Sequence, residues 1–174
     1  EADFKMIPGV GDKMAHEFEE YRPYKSIKQF RKEIGKYVDE EEVTRYESYV
    51  FVPVELNTAT EEDIKALPGV GDKMAHEFEE YRPYTSIFQF KREIGKYVDQ
   101  EEVARYLDYV FVPVELNTSS EDDIKALPGI GKKMTHEFLE YRPYKNLAQF
   151  RKEIGKYVDE KELNRLERFV YLKE

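Results

Sequence analysis

Residues 56–84 read LNTATEEDIKALPGVGDKMAHEFEEYRPY, and the four residues Pro68-Gly69-Val70-Gly71 at their centre decide the fold. Proline cannot continue a helix and glycine tolerates positive φ, so this tetrapeptide ends one helix and turns the chain. Upstream, Thr60 with Asp63 is a helix start: a side-chain oxygen covers free amides while an acid sits in the first turn. Ile64, Ala66 and Leu67 supply that helix with its apolar face. Downstream, a second helix is expected from about Asp72 to Arg82, because Met74, Ala75, Phe78 and Tyr81 fall at i, i+1, i+4 and i+7. Pro83 stops it.

Reading outward, Ser86 with Gln89 starts a third helix whose Ile87, Phe90 and Ile94 face inward, and Gly95 closes it. Asp99 with Glu102 starts a fourth, carrying Val103, Tyr106 and Val110. Val110-Phe111-Val112-Pro113-Val114 alternates like a strand, but Pro113 lacks a ladder donor, so an extended connector or an edge strand is expected.

The same text recurs. IPGVGDKMAHEFEEYRPY starts at Ile7 and LPGIGKKMTHEFLEYRPY at Leu127, and Pro8–Tyr24 matches Pro68–Tyr84 at every position. EIGKYVD returns at Glu33, Glu93 and Glu153, and YVFVPVELN at Tyr49 and Tyr109. The chain is therefore read as three tandem units, 1–54, 55–114 and 115–174, all-α, joined by short extended connectors. Glu1 aligns with Glu61, so the first copy starts inside its first helix.

Of the 174 residues, 14% are aromatic and 40% hydrophobic, enough for each unit to bury a small core. The net charge is −9 and unevenly spread. Residues 1–57 hold 9 basic and 13 acidic side chains, residues 58–117 hold 7 and 13, and residues 118–174 hold 12 and 11. A nucleic-acid binder usually carries a basic footprint, and only the third copy approaches one. With no cysteine, disulfides and thiolate metal sites are excluded. No apolar run is long enough to span a membrane.

An apolar residue, Pro-Gly-x-Gly, then a helix with a small residue four places on (Ala15, Ala75, Thr135) resembles the helix-hairpin-helix motif. The lead-in LNTATEEDIKALPGVG resembles exported competence-type DNA-uptake receptors and is similar to the small extrinsic subunit of photosystem II. Gly95-Lys96-Tyr97-Val98-Asp99 looks like a degenerate second hairpin. The resemblance implies either duplex DNA as a partner or a purely structural role, and it leans toward an exported protein. It also implies a monovalent cation on the hairpin carbonyls; no other cofactor or metal is expected.

The chemistry of the motif stands on its own. A tight turn running into a helix leaves backbone N–H groups pointing outward, and the helix dipole adds partial positive charge, which together suit an anion. Gly9, Val10 and Gly11, Gly69, Val70 and Gly71, and Gly129, Ile130 and Gly131 form the expected cradles, with Lys13, Lys73, Lys132 and Lys133 as nearby cations. The second glycines, Gly71 and Gly131, are expected to hold backbone shapes closed to other residues. Asp12 and Asp72 directly follow the second glycine, where a carboxylate can satisfy the helix amides and repel phosphate; the third copy has Lys132 instead.

Other patterns read as structure. His16, His76 and His136 begin HEFEE or HEFLE but lack the second histidine of a zinc helix, and each can pair with the Glu four residues on. In YRPY, Tyr21, Tyr81 and Tyr141 are expected in the core, with Arg-Pro ending the helix. The acidic runs at Asp39 and Asp99 suit helix first turns. No catalytic constellation is present, so a non-enzymatic protein is expected. Two functions remain: weak, salt-dependent, sequence-nonspecific binding to the DNA backbone through the hairpins, or a scaffold that engages a protein partner.

Overall fold

The computed structural model describes residues 1–173 and divides into two compact units, Glu1–Val52 and Pro53–Glu174. In the first, a 3-10 turn at Phe4–Met6 precedes α1 (Asp12–Glu20), α2 (Ile27–Ile34) and α3 (Glu40–Glu47). The second holds two repeats. One runs from β1 (Val54–Glu55) through α4 (Glu61–Lys65), α5 (Asp72–Glu80), α6 (Ile87–Ile94) and α7 (Gln100–Leu107) to β2 (Val110–Phe111). The next runs from β3 (Val114–Glu115) through α8 (Glu121–Lys125), α9 (Lys132–Glu140), α10 (Leu147–Ile154) and α11 (Glu160–Glu167) to β4 (Val170–Tyr171). Among the described residues the fold is all-α apart from these two-residue strands.

Each repeat has its own core. In the middle one, Phe78 meets Phe90 edge-on at 4.8 Å and Tyr106 at 5.3 Å, and Ile64, Leu67, Val70, Ala75 and Ile94 are among the residues packed with them. Burying each large apolar side chain contributes roughly 1.5–3 kcal/mol, so one such cluster can organise four short helices. The small residue after the hairpin is needed for close packing: Ala15, Ala75 and Thr135 are all fully buried.

The connectors do more than link. β1 pairs with β2 and β3 with β4, both in parallel, with Val54 opposite Val110 and Val114 opposite Val170. Val54 N–H donates to Tyr109 O at 2.9 Å and Leu56 N–H to Phe111 O at 3.0 Å. The lead-in of a repeat thus pairs with its own exit and closes the repeat. Pro113 falls between β2 and β3, so its missing N–H is never required by a ladder. Phe111, read as part of the middle copy, is buried in the core of the following one, 4.7 Å from Phe169. Boundaries drawn at 54/55 and 114/115 pass through β1 and β3.

Candidate functional site

The hairpins begin where the first helix ends. Ala66 and Ala126 cap α4 and α8, and Val70 N–H then turns back onto Leu67 O at 3.1 Å. Val10 N–H meets Ile7 O at 3.0 Å and Ile130 N–H meets Leu127 O at 3.2 Å. These middle residues were expected in the anion cradle. Instead their amides close the turn, and the side chains of Val10, Val70 and Ile130 are buried in the repeat cores.

The two glycines of each hairpin differ in kind. Gly9, Gly69 and Gly129 have φ of +78°, +72° and +70°, a left-handed conformation that side chains disfavour. Gly71 has φ −92° and ψ 178°, and Gly131 φ −85° and ψ 170°, extended backbone open to any residue. A Cβ added at Gly11, Gly71 or Gly131 would meet nothing within 4 Å. The expectation for Gly71 and Gly131 is therefore corrected: the strained glycine is the first of the pair.

Those second glycines are the N-caps of α1, α5 and α9, and none of the three helices has a side-chain cap. The contrast within the chain is consistent. Ser26, Asp39, Thr60, Ser86, Asp99, Ser120, Asn146 and Asp159 each accept from the N3 amide of their helix. Among the described helices of the α type, only those leaving the hairpins lack this bond. Asp12 and Asp72 do not supply it, contrary to expectation. They stand at the first helical position, largely exposed, and turn to lysines: Asp12 Oδ1 lies 2.7 Å from Lys5 Nζ and Asp72 Oδ1 2.9 Å from Lys65 Nζ. The Lys5 contact holds Asp12 below the usual carboxylate range and Lys5 above the usual lysine range. Lys65 is raised further by Glu61 and then Asp72.

The third hairpin is built of the same backbone with different charges. Lys132 occupies the aspartate position and, with Lys133, is exposed at the start of α9. Lys133 Nζ also sits 5.8 Å from the centre of the Tyr157 ring. Lys125 pairs with Glu121 at 2.7 Å, and the partner that Lys65 finds in Asp72 is replaced here by a cation. Lys13 and Lys73 are exposed beside the aspartates of the first two hairpins.

An arginine from the last helix of each repeat locks the turn. Arg45, Arg105 and Arg165 Nη1 donate to the carbonyls of Pro8, Pro68 and Pro128 at 2.5, 2.5 and 2.7 Å. Each also grips the glutamate three residues earlier, Glu42, Glu102 or Glu162. The guanidinium hydrogen bond pulls the Glu42 and Glu102 carboxyls down to about 2. Sequence reading missed this clamp, although the recurrent Glu-x-x-Arg at positions 42, 102 and 162 was its visible trace. It bears on the cation that the resemblance implied. A monovalent ion needs free carbonyl oxygens, and the proline carbonyl already faces a guanidinium, so this carbonyl does not fit one.

The remaining candidates fall outside the hairpin rim. At the second turn of each repeat, Asp39, Asp99 and Asp159 cap the following helix at 2.9 Å, so those amides are already taken. His76 and His136 are exposed and lie 4.0 and 3.4 Å from Glu80 and Glu140, whereas His16 meets Glu1. Among the described residues no His/Cys/Asp/Glu cluster could hold a metal ion, and no helix is long and apolar enough to cross a membrane. In YRPY the expected core tyrosines are only half-buried: Tyr81 and Tyr141 bond their hydroxyls to Tyr97 and Tyr157 at 2.8 Å. Tyr84 and Tyr144 are the buried ones, after cis prolines at 83 and 143.

No curated protein and no solved structure matches the chain. A family model described as the helix-hairpin-helix motif matches residues 50–101 and 110–171. These segments, which contain the second and third hairpins, make up more than half of the chain, and the chain belongs to the helix-hairpin-helix motif family.

Proposed function

We infer that this protein is a non-enzymatic binding module that grips the nucleic-acid backbone, duplex DNA above all, without reading sequence, chiefly through its third hairpin. The observation that carries this reading is the glycine N-cap. Every other described α-helix uses a side-chain oxygen there, whereas the hairpin helices use a glycine that neither its φ nor its neighbours require. A glycine cap costs the helix only a few tenths of a kcal/mol relative to serine or aspartate, and it leaves the first-turn amides open to an incoming anion. At the third hairpin Lys132 and Lys133 add attraction; at the first two, Asp12 and Asp72 oppose it. Membership of the helix-hairpin-helix motif family supports a nucleic-acid ligand.

The second reading, a scaffold for protein partners, draws on the same aspartates and on the net charge of −9. Fluorescence anisotropy of a labelled duplex titrated with the whole chain at low salt separates the two. Weak binding that Lys132→Asp abolishes supports the backbone reading. An unchanged anisotropy at low salt leaves the scaffold in its place.

A further inference from the structure

Glu77 and Glu137 are buried, 9% and 7% exposed, and one oxygen of each carboxylate has no hydrogen-bond partner among the described residues. A buried acceptor left open calls for a role beyond packing. Each glutamate stands on the helix leaving its hairpin, one turn before Tyr81 or Tyr141, on the same helix face.

That tyrosine is half of a pair. The hydroxyls of Tyr81 and Tyr97 lie 2.8 Å apart with ring centres at 6.3 Å, and those of Tyr141 and Tyr157 are also 2.8 Å apart. Tyr21 and Tyr37 repeat the contact at 3.0 Å, with ring centres at 6.5 Å. Tyr97 also hydrogen-bonds Glu77, as Tyr157 does Glu137 and Tyr37 does Glu17. A carboxylate only accepts, so Tyr97 donates to Glu77 and its own oxygen accepts from Tyr81. The hydrogen bonds to Tyr81 and Glu77 raise the Tyr97 phenol above the usual tyrosine range, which keeps it protonated at neutral pH. Lys96 Nζ sits 5.1 Å from the centre of the Tyr81 ring. Electron loss beside an ammonium is costly unless a proton leaves with the electron, and Glu77 gives that proton a destination. The second tyrosine of each pair lies in the turn after the helix ending at Ile34, Ile94 or Ile154, and Tyr37, Tyr97 and Tyr157 are 41%, 43% and 39% exposed. Solvent-borne oxidants therefore reach it. With neither cysteine nor tryptophan in the chain, no thiol or indole competes for the radical.

We propose that the three pairs, Tyr21–Tyr37, Tyr81–Tyr97 and Tyr141–Tyr157, are oxidative modification sites that a one-electron oxidant of phenols converts to dityrosine, with the neighbouring glutamate as first proton acceptor. The first electron leaves Tyr97 and its phenolic proton passes to Glu77. The second leaves Tyr81, whose proton is lost to water at the exposed rim. The two phenoxyl radicals couple through the ring carbons beside their hydroxyls, forming one carbon–carbon bond. The hydrogens on those carbons then move to the oxygens and restore two phenols. Overall the pair loses two electrons and two protons, which reduce one hydrogen peroxide to two waters. The product ties the helix after the hairpin to the turn before the last helix of the same repeat.

The test treats the whole chain with hydrogen peroxide and a haem peroxidase, followed by trypsin and mass spectrometry. Dityrosine fluorescence is expected in chains that stay monomeric. Peptides should be joined at 21–37, 81–97 and 141–157, each lighter by two hydrogens than its parts. Tyr97→Phe, which removes one hydroxyl, should delete the middle cross-link and spare the other two. Glu77→Gln should slow the middle cross-link by roughly tenfold, with the first and third repeats of the same molecule as controls. In concentrated urea the preference for these pairs should vanish. Cross-links that run only between chains, or that join other tyrosines as readily, overturn the proposal. So does an equal preference in urea, which would trace it to sequence spacing, or a Glu77→Gln chain that couples at the parent rate.

Discussion

Arg105 reaches back from α7 to Pro68, its Nη1 2.5 Å from the proline carbonyl oxygen, and its guanidinium lies against the face of Gly69. The last helix of a repeat thereby holds the first turn in place. Both neighbouring copies repeat the contact, through Arg45 and Arg165. A hydrogen bond to a charged group contributes about 1.5–3 kcal/mol at the high end of the usual range, and partial exposure reduces it here. Arg105→Ala should lower stability by about 1 kcal/mol in denaturant unfolding, and an unchanged midpoint would mean that the turn holds itself.

The two glycines of a hairpin should respond unequally to alanine. Gly69→Ala forces a left-handed alanine and puts a Cβ 2.5 Å from the Arg105 Nη2 position, a cost of about 1–3 kcal/mol. Gly71→Ala meets open space in extended backbone, and its cost should stay within about 1 kcal/mol. Thermal melts of the two single variants decide it; equal losses would contradict the assignment of strain to the first glycine.

Acid should loosen the clamps. The hydrogen bond from Arg105 takes the Glu102 carboxyl from an ordinary 4.5 to about 2, and Arg45 does the same for Glu42. A depressed folded pKa means the unfolded chain binds protons first as pH falls. The stabilisation is complete above about 4.5 and disappears as pH drops toward 2. Glu102→Gln should be less stable than the parent at pH 7 and should lose less between pH 5 and 2. Parallel pH–stability curves for parent and variant would show that the pair contributes nothing.

The three hairpins form an internal experiment on phosphate binding. Lys132→Asp should remove DNA binding from the whole chain, and Asp72→Lys should strengthen it. Gly131→Asp is the sharper probe, because a carboxylate at the N-cap would occupy the open amides while leaving the helix as stable or slightly more so. A contact with about two phosphates implies a log–log salt slope near −2. Anisotropy titrations at two salt concentrations, beside melts of each variant, separate lost binding from lost folding. Full DNA affinity in a stable Gly131→Asp protein would sink the amide cradle.

Local sequence determined the helices. Starts at Glu61, Asp72, Ile87 and Gln100 follow from caps, prolines and apolar spacing, all of which act within a turn or two of the chain. The repeat and the Pro-Gly-x-Gly turn were legible for the same reason, as was the small residue packed behind each hairpin. What the tertiary structure decided lies between residues far apart in sequence. The parallel pairing of β1 with β2 joins positions 56 apart, and its register depends on where four helices return the chain, which no local preference encodes. The Arg105–Pro68 clamp and the Asn57–Tyr84 hydrogen bond are contacts of the same kind. Even the roles of the paired glycines were hidden in the text, because Gly69 and Gly71 read alike until the folded backbone gave one a positive φ and left the other extended at an open helix end.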